Sequence, residues 1–255
     1  MRKIIAIGGG EIGRQGFPVE TTKIDKEIIL QTHKKNPILL FLPTASSDSQ
    51  GYFEVVKKHF SKLGCKVDVL YLINTNVSKK QIMKKILNTD IIYVGGGNTM
   101  KMIHIWKKKG VDKALKAAHK KGIVLSGLSA GAICWFKFGN SDSKLKETGK
   151  LIKVRGLDYF CAALCPHYDA EKERKPALKE MMIKTKGVAI ALDNCCAIEI
   201  IGEKYRIIKS KSTAKAYKVF WKNKKFFENE ILSKKKFEPV EELFKKDLFK
   251  NINPY

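Results

Sequence analysis

The sequence contains few arginines, few histidines and few acidic residues. Of its 255 residues, 50 are lysine or arginine and 25 are aspartate or glutamate, which gives a formal net charge of +25. Arginine stands only at positions 2, 14, 155, 174 and 206. Proteins that read nucleic-acid sequence favour arginine for paired contacts to bases, and the lysines here are spread along the whole chain. We therefore interpret the charge as a solvated surface and expect no nucleic-acid partner.

Cysteine pairs of the metal-binding kind and long apolar segments are also missing. The cysteines, at positions 65, 134, 161, 165, 195 and 196, show no Cys-x-x-Cys spacing. We interpret them as free, mostly buried thiols and predict no metal. No apolar stretch approaches the roughly 20 residues of a membrane-spanning helix, and the chain opens with Met1-Arg2-Lys3 rather than a signal peptide. We expect a cytoplasmic protein with no membrane partner.

Short apolar runs alternate with helix-like segments through the first half of the chain. This alternation predicts an α/β fold with a doubly wound, mostly parallel sheet flanked by helices. From Tyr205 to Phe227 the pattern becomes alternating, which predicts antiparallel strands with a turn at Lys222-Asn223-Lys224. Because no linker or composition shift is present, we predict a single domain over residues 1–255. Within it, about 232–255 are expected to form a surface helix and tail.

A glycine loop follows the first predicted strand, Lys3–Ile7. Its residues Gly8-x-Gly10-x-x-Gly13 match the spacing of a dinucleotide-binding loop. Such a site also needs an acidic residue at the end of the second strand, where this chain has Pro43-Thr44-Ala45-Ser46. The sequence therefore argues against a nicotinamide site, and we predict no cofactor.

The segment Ile123–Ala132 reads as a buried strand, a Gly-x-Ser-x-Gly turn and the start of a helix. This is the pattern of a nucleophile elbow, in which a sharp turn lifts one serine above the sheet. Ser129 is the serine of that turn, so we predict it as a catalytic nucleophile. A serine hydroxyl needs a base to take its proton, and histidine is the usual base.

His167 is the best candidate for that base. The other histidines, at positions 33, 59, 104 and 119, lie in helix-like, lysine-flanked segments, whereas His167 follows a predicted strand and Pro166. It lies 38 positions after Ser129, which is too close for the usual topology of an α/β-hydrolase. Both residues are expected at the carboxyl ends of parallel strands, where sites form in such sheets.

Taken together, these motifs resemble peptidase family S51, which contains the aspartyl dipeptidases and the cyanophycinases. The resemblance extends from about residue 1 to residue 230 and rests on four ordered motifs: Val94–Thr99, Gly127–Ala132, Gly139–Ser143 and Pro166–Tyr168. It implies a class I glutamine-amidotransferase-like, flavodoxin-like fold in which serine replaces the amidotransferase cysteine. It also implies a Ser-His-acid mechanism without metal or cofactor.

The same resemblance assigns roles to individual residues. Ser129 matches the family nucleophile and His167 the general base. The amides of Ala130 and Gly97 would form the oxyanion hole. For the acid, Asp142 matches best, with Glu147 and Asp193 as alternatives, and the family often has an acidic residue where this chain has Asn194.

The substrate is less constrained by the sequence. In the aspartyl dipeptidases an arginine after the histidine binds the substrate's aspartate, and Arg174 is the arginine in that segment here; Asn98 of the glycine loop is a second substrate-binding candidate. We predict hydrolysis of dipeptides or short peptides, with N-terminal aspartate as one option. The alternatives are an amidase or esterase acting on a non-peptide substrate, or a non-catalytic binding protein with the same fold. Either a monomer or a homodimer fits the sequence.

Overall fold

The computed structural model describes residues 1–185 and 187–245. The last part of the expected helix and tail, residues 246–255, lies outside the described residues. The earlier part holds one short strand and one short helix, and Leu243 of that helix is only 1% exposed. Val240 and Leu243 anchor this segment to the domain, while most of its other described residues are exposed.

The strands are short and mostly apolar. Their bounds are β1 Lys3–Ile7, β2 Ile38–Leu42, β3 Lys66–Val69, β4 Ile91–Val94, β5 Val124–Leu128, β6 Phe136–Ser141, β7 Ile152–Arg155, β8 Phe160–Cys165, β9 Val188–Leu192, β10 Cys196–Ile201, β11 Lys204–Lys209, β12 Ala216–Lys222, β13 Lys225–Glu230 and β14 Glu238–Pro239. Strands β4 and β5 are buried along their whole length. Continuous burial is expected where helices cover both faces of a parallel sheet.

The helices alternate with the strands in the first half of the chain. Their bounds are α1 Thr22–Leu30, α2 Gln50–Lys62, α3 Lys79–Leu87, α4 Thr99–Lys109, α5 Val111–Lys121, α6 Ala130–Ile133, α7 Leu145–Thr148, α8 Arg174–Lys184 and α9 Val240–Phe244. Local signals set their ends: Ser78 caps α3 in a reciprocal pair with Gln81. Gly122 ends α5 in the left-handed conformation, with φ 86°.

Two sheets hold these strands. The first has the order β14-β11-β10-β1-β5-β4-β2-β3, in which β1, β5, β4, β2 and β3 are parallel neighbours. The second has the order β13-β12-β9-β8-β6-β7 and is parallel only at β6–β8 and β8–β9. The flanked α/β architecture that the alternation predicts is confirmed, although the strands are divided between two sheets.

The antiparallel pattern predicted near the carboxyl end of the chain is also confirmed. Strands β12 and β13 pair in antiparallel fashion from Tyr217↔Glu230 to Lys222↔Lys225. Asn223 and Lys224 between them have φ 50° and 60°, as a two-residue hairpin turn requires. The first residues of the motif Gly139–Ser143 belong to β6, which runs to Ser141 and pairs with β7.

The core lies between the sheets and under the helices. One cluster of buried side chains joins both sheets, with Leu125 of β5 from the first and Leu164 and Ile190 of β8 and β9 from the second. A second cluster packs α1 and α2 against the other face of the first sheet. The six cysteines are free; five are buried and Cys161 is exposed. The prediction of buried free thiols therefore holds for all but Cys161.

Candidate active site

Ser129 lies in the turn between β5 and α6. The strand ends at Leu128 and the helix begins at Ala130, so Ser129 alone makes the change of direction. Its backbone has φ 57° and ψ −110°, a conformation that is strained for any residue with a side chain. Its own amide donates to the carbonyl of Ile7 in the neighbouring strand β1. The turn therefore holds the serine at the carboxyl edge of the sheet.

The glycines that flank Ser129 are required by close packing. A Cβ atom at Gly127 would lie 2.5 Å from the carbonyl oxygen of Gly131. A Cβ atom at Gly131 would lie 2.2 Å from the carbonyl oxygen of Val94. No side chain fits at either position without moving backbone, which explains the spacing Gly-x-Ser-x-Gly in this chain.

His167 reaches Ser129 from the end of β8. Its Nε2 atom lies 2.8 Å from Ser129 Oγ. The residue has φ 53°, and its amide donates to the carbonyl of Gly8 at 3.2 Å. The structure thus brings together the two residues that the sequence singles out, through a contact between two different sheets.

The residue that contacts the other ring nitrogen of His167 is Asn194. Its Oδ1 atom lies 2.8 Å from His167 Nδ1. An amide oxygen is an acceptor, so Nδ1 carries the proton and Nε2 is left to accept from Ser129. The backbone N–H of Asn194 donates to Asp169 Oδ1 at 2.8 Å, which holds the residue in place. Ser129, His167 and Asn194 form a continuous hydrogen-bonded row.

This arrangement corrects the expectation that Asp142 orients His167. Asp142 is exposed in the turn after β6, and so is Glu147 on the short helix α7. Asp193 is near the site but buried, and its Oδ2 atom accepts the amide of Lys215 at 2.8 Å. Burial raises the pKa of Asp193 to about 6. The place of a carboxylate beside the imidazole is taken by the neutral side chain of Asn194.

The first glycine loop, Gly8–Gly10, makes room for the His167–Asn194 pair. A Cβ atom at Gly9 would lie 2.0 Å from Asn194 Oδ1 and 2.4 Å from His167 Nδ1. The carbonyl of Gly9 accepts the amide of Cys195, which fixes the loop that carries Asn194. The loop that matches a dinucleotide-binding spacing is therefore part of this site for a steric reason.

The second glycine loop, Gly95–Gly97, lies beside Ser129. A Cβ atom at Gly96 would be 3.5 Å from Ser129 Cβ, which is ordinary contact distance. Gly97 has φ 132°, and a Cβ atom there would lie 2.3 Å from the carbonyl oxygen of Ala45. The Gly96 amide donates to the hydroxyl of Tyr52 at 3.3 Å. Tyr52 and Ala45 therefore fix the loop from its outer side.

Asn98 has a structural task at the end of that loop. Its Oδ1 atom accepts the amide of Lys101 and so caps α4, while its Nδ2 atom donates to the carbonyl of Ser143 at 2.9 Å. Both ends of the amide are engaged, which differs from the substrate-binding role expected for it.

Arg174 lies at the start of α8 and contacts β6. It is 1% exposed, and its guanidinium donates to the Asn140 carbonyl and to Glu171 Oε2, each at 2.7 Å. The side chain therefore fastens the start of α8 to β6. This corrects the expectation that Arg174 binds a substrate carboxylate, because the side chain is buried and its Nε and Nη1 atoms already bond to Glu171 and Asn140.

A cavity of about 430 Å³ opens next to His167. Its wall includes Leu128, Tyr52 and an ion pair between Glu11 and Arg14, whose Oε2 and Nη2 atoms lie 2.6 Å apart. Burial acts to raise the pKa of Glu11, but the hydrogen bonds from Arg14 outweigh it and hold that pKa below its usual value. The arginine that faces this site is Arg14, whose side chain is 69% exposed.

Gly9, Tyr52 and Asn194 were not predicted as site residues. The available signal for Asn194 was its position, directly after Asp193 in the loop that follows the buried strand β9. For Tyr52 no local motif exists, because it reaches the site from the first turn of α2.

Comparison with known proteins identifies the family to which this chain is similar. The model of peptidase family S51 matches residues 4–208. A Bacillus subtilis (strain 168) protein named uncharacterized peptidase YgaJ is 38% identical over 223 residues, which cover 86% of this chain and 92% of that protein. Peptidase E of Nostoc sp. is 28% identical over 134 residues, which cover 51% of this chain and 52% of that protein.

A solved structure has the same fold. The crystal structure of a peptidase from an acI-B1 Actinobacterium superposes with a TM-score of 0.72, covering 93% of this chain and 96% of that one, at 16% sequence identity. Within residues 1–185 and 187–245, no helix has the length and apolar character needed to cross a membrane.

Proposed function

The chain belongs to peptidase family S51 and is a serine peptidase, and we propose that it hydrolyses dipeptides or short peptides through an acyl-enzyme formed on Ser129. The observation that supports this mechanism is the row Ser129–His167–Asn194, with both hydrogen bonds at 2.8 Å. The turn that carries Ser129 acts in this proposal as a nucleophile elbow.

In the first half of the reaction, Ser129 Oγ attacks the peptide carbonyl carbon while His167 Nε2 takes the hydroxyl proton. The imidazolium that forms keeps its Nδ1 proton on Asn194 Oδ1. An amide oxygen orients the ring and accepts this bond, although it stabilises the positive charge less than a carboxylate would. The C–N bond then breaks as His167 gives its proton to the leaving amine.

In the second half, a water molecule loses a proton to His167 Nε2 and attacks the acyl-enzyme, and Ser129 leaves with the proton returned. The negative oxygen of both tetrahedral intermediates needs amide donors, for which we propose Ala130 at the start of α6 and Gly97 of the second glycine loop. Such donors each contribute roughly 3–4 kcal/mol in comparable sites.

The cavity beside His167 is the proposed substrate site. Its volume of about 430 Å³ is small, in the range of sites for small molecules, which favours dipeptides and short peptides over folded proteins. Arg14 is the cation available there for an acidic residue of the substrate, a role for which Arg174 is too buried.

Labelling with a fluorophosphonate, followed by mass mapping, tests the nucleophile. We expect the adduct on Ser129, none in Ser129→Ala, and a much slower reaction in His167→Ala. Ser126→Ala is the matched control, because Ser126 lies in the same strand with its hydroxyl on the Ile92 carbonyl. A wild-type protein that does not react, under conditions that label a known serine hydrolase, would contradict the mechanism.

A panel of Asp-Leu, Glu-Leu and Ala-Leu tests the substrate. Faster cleavage of the acidic dipeptides, reduced in Arg14→Gln, would assign the preference to this cavity. Equal rates across the panel would reject a preference for N-terminal aspartate. Hydrolysis of simple esters and amides without any dipeptide cleavage would instead support the amidase or esterase alternative.

A further inference from the structure

A second cavity, of about 490 Å³, lies at the other end of the parallel strands. Its wall includes Arg2, which precedes β1, and Tyr159, which precedes β8, whereas Ser129 follows β5. Strands β1 and β5 are parallel from Lys3↔Val124 to Ile7↔Leu128, and five residues of strand span roughly 15 Å. The cavity is therefore separate from the site at Ser129, and its size suits a small molecule.

The wall of this cavity is strongly basic. It carries Arg2, Lys107, Lys116, Lys120 and Arg155, against the two carboxylates of Asp112 and Asp158. Nearby Asp158 lies 3.9 Å from Arg155, whose side chain remains 67% exposed. Arg2 and the lysines of this wall form no ion pair with any of the described residues.

Arginine is rare in this chain, and its distribution is informative. The side chains of Arg14, Arg174 and Arg206 are each held by a glutamate at 2.6–2.7 Å. The two others, Arg2 and Arg155, both line this cavity. Scattered surface lysines explain a general positive field, but they do not explain why both of these arginines meet at one hollow.

Buried polar atoms without hydrogen-bond partners lie in or directly behind this wall. Asp112 Oδ1, Tyr159 Oη and Trp135 Nε1 are buried and have no hydrogen-bond partner among the described residues. Trp135 packs edge-on against Tyr159 with ring centroids 5.8 Å apart. Burial, with the nearby charge of Asp112, raises the pKa of Tyr159, so its hydroxyl keeps its proton. Buried groups of this kind normally bond to a protein atom, water or a ligand.

His119 completes that wall without adding a charge. Its ring lies against Tyr159 with centroids 4.8 Å apart. Burial and the positive charge of Arg2 lower the pKa of His119 to about 4, so the imidazole is neutral at pH 7. The cavity thus joins a cationic rim to hydrogen-bonding groups further in, of which Asp112 is a carboxylate and Tyr159 and His119 are uncharged.

We propose that this cavity binds a phosphate ester that carries free hydroxyl groups. The phosphate lies among Arg2, Arg155 and Lys116, since a guanidinium matches phosphate oxygens with two parallel donors. Asp112 and Tyr159 both line the cavity, although their partnerless oxygens are buried. In the complex the two side chains turn toward the ligand, and its hydroxyl groups donate to Asp112 Oδ1 and accept from Tyr159 Oη. Sugar phosphates and nucleotides share this chemistry.

Calorimetric titration of the full chain with inorganic phosphate, ribose, ribose 5-phosphate and AMP tests the proposal. Ribose 5-phosphate is expected to bind at least about tenfold more tightly than phosphate or ribose alone, because both halves of the site are used. Tighter binding of AMP than of ribose 5-phosphate would identify nucleotides as the source, and equal binding would identify sugar phosphates. Equal affinity for phosphate and ribose 5-phosphate, or no binding, would overturn the proposal.

Matched variants distinguish binding in this cavity from general attraction to the positively charged surface. Lys116→Gln and Arg155→Gln should each weaken ribose 5-phosphate binding by about tenfold. Lys113→Gln removes the same charge from an exposed position of the same helix outside the cavity and should bind like the wild type. Tyr159→Phe should abolish the preference for the ester over phosphate. Equal weakening in Lys113→Gln and Lys116→Gln would reduce the effect to surface charge and reject the site.

Binding should be unchanged in Ser129→Ala, because the two sites lie at opposite ends of the strands. This control makes the test independent of the proposed peptidase mechanism.

Discussion

The two triple-glycine loops, Gly8–Gly10 and Gly95–Gly97, follow parallel strands and end at the same edge of the sheet, yet they do different work. The middle glycine of the first loop has no space for a side chain, since His167 and Asn194 lie directly against it. The middle glycine of the second loop has ordinary space toward Ser129 and instead offers its amide to Tyr52. The first loop leaves room for the side chains of His167 and Asn194, whereas the second loop offers a backbone amide as a hydrogen-bond donor.

The largest effect on activity is expected when the middle glycine of each loop is replaced by alanine and the two variants are compared. Gly9→Ala places a methyl group 2.0 Å from Asn194 Oδ1, so His167 must move, and activity should fall about 100-fold or more. Gly96→Ala meets its nearest atom at 3.5 Å and should cost less than about tenfold. Values of kcat/KM for a dipeptide, with melting curves to confirm folding, measure both. Similar losses in the two variants would contradict the assignment of tasks.

The next effect concerns the side chain that the first loop accommodates. Asn194→Ala removes the acceptor from His167 Nδ1, and activity should fall by about 10- to 100-fold as the ring loses its orientation. Asn194→Asp retains an acceptor and should stay much closer to the wild type. In that variant the acid limb of the pH–rate profile should move to higher pH, because an adjacent carboxylate favours the protonated imidazole. An unchanged profile would argue against direct contact with the ring.

A smaller effect is expected in the second loop from Tyr52→Phe. The hydroxyl accepts the Gly96 amide, and burial raises its pKa, so it keeps its own proton and can donate. Its loss should loosen the loop and lower kcat by about tenfold, with little change in KM. Phe53→Leu, at the next position of α2, is the control for packing alone. A loss confined to KM would place Tyr52 in substrate binding instead.

The last effect, at Asp193 beside the first loop, is on stability rather than on activity. The pKa of Asp193 rises from 3.8 to about 6 in the folded chain, chiefly through burial. Between those two values the folded state binds more protons than the unfolded state, so stability falls as the pH rises through this window. The loss is at most about 3 kcal/mol. Urea unfolding at several pH values should show a shallower fall in Asp193→Asn, and parallel curves would refute the titration.

The residues with a strong local pattern were predictable from the sequence, and those that depend on contacts between elements were not. The local sequence pattern singles out Ser129, because the two glycines and the buried strand are adjacent to it in the chain. His167 could be chosen among the five histidines because it follows a predicted strand. The Asp142 prediction failed because the segment Gly139–Ser141 continues as strand, which leaves Asp142 in an exposed turn.

Arg174 shows the same limit in a different way. Spacing places an arginine in the segment after the histidine, but only packing reveals that α8 turns its guanidinium inward onto β6. The division of the strands between two sheets was hidden for a similar reason, since both sheets use the same apolar sequence pattern. Long-range pairing is decided by tertiary packing rather than by local propensity.

The backbone of Ser129 bears on how this protein changes over evolutionary time. A residue with φ 57° and ψ −110° costs roughly 1–3 kcal/mol that a glycine would not. Ser129→Gly should therefore raise the melting temperature while it removes the proposed nucleophile. Selection for a stable fold alone would favour glycine at this position, so stability and the proposed chemistry make opposite demands on residue 129.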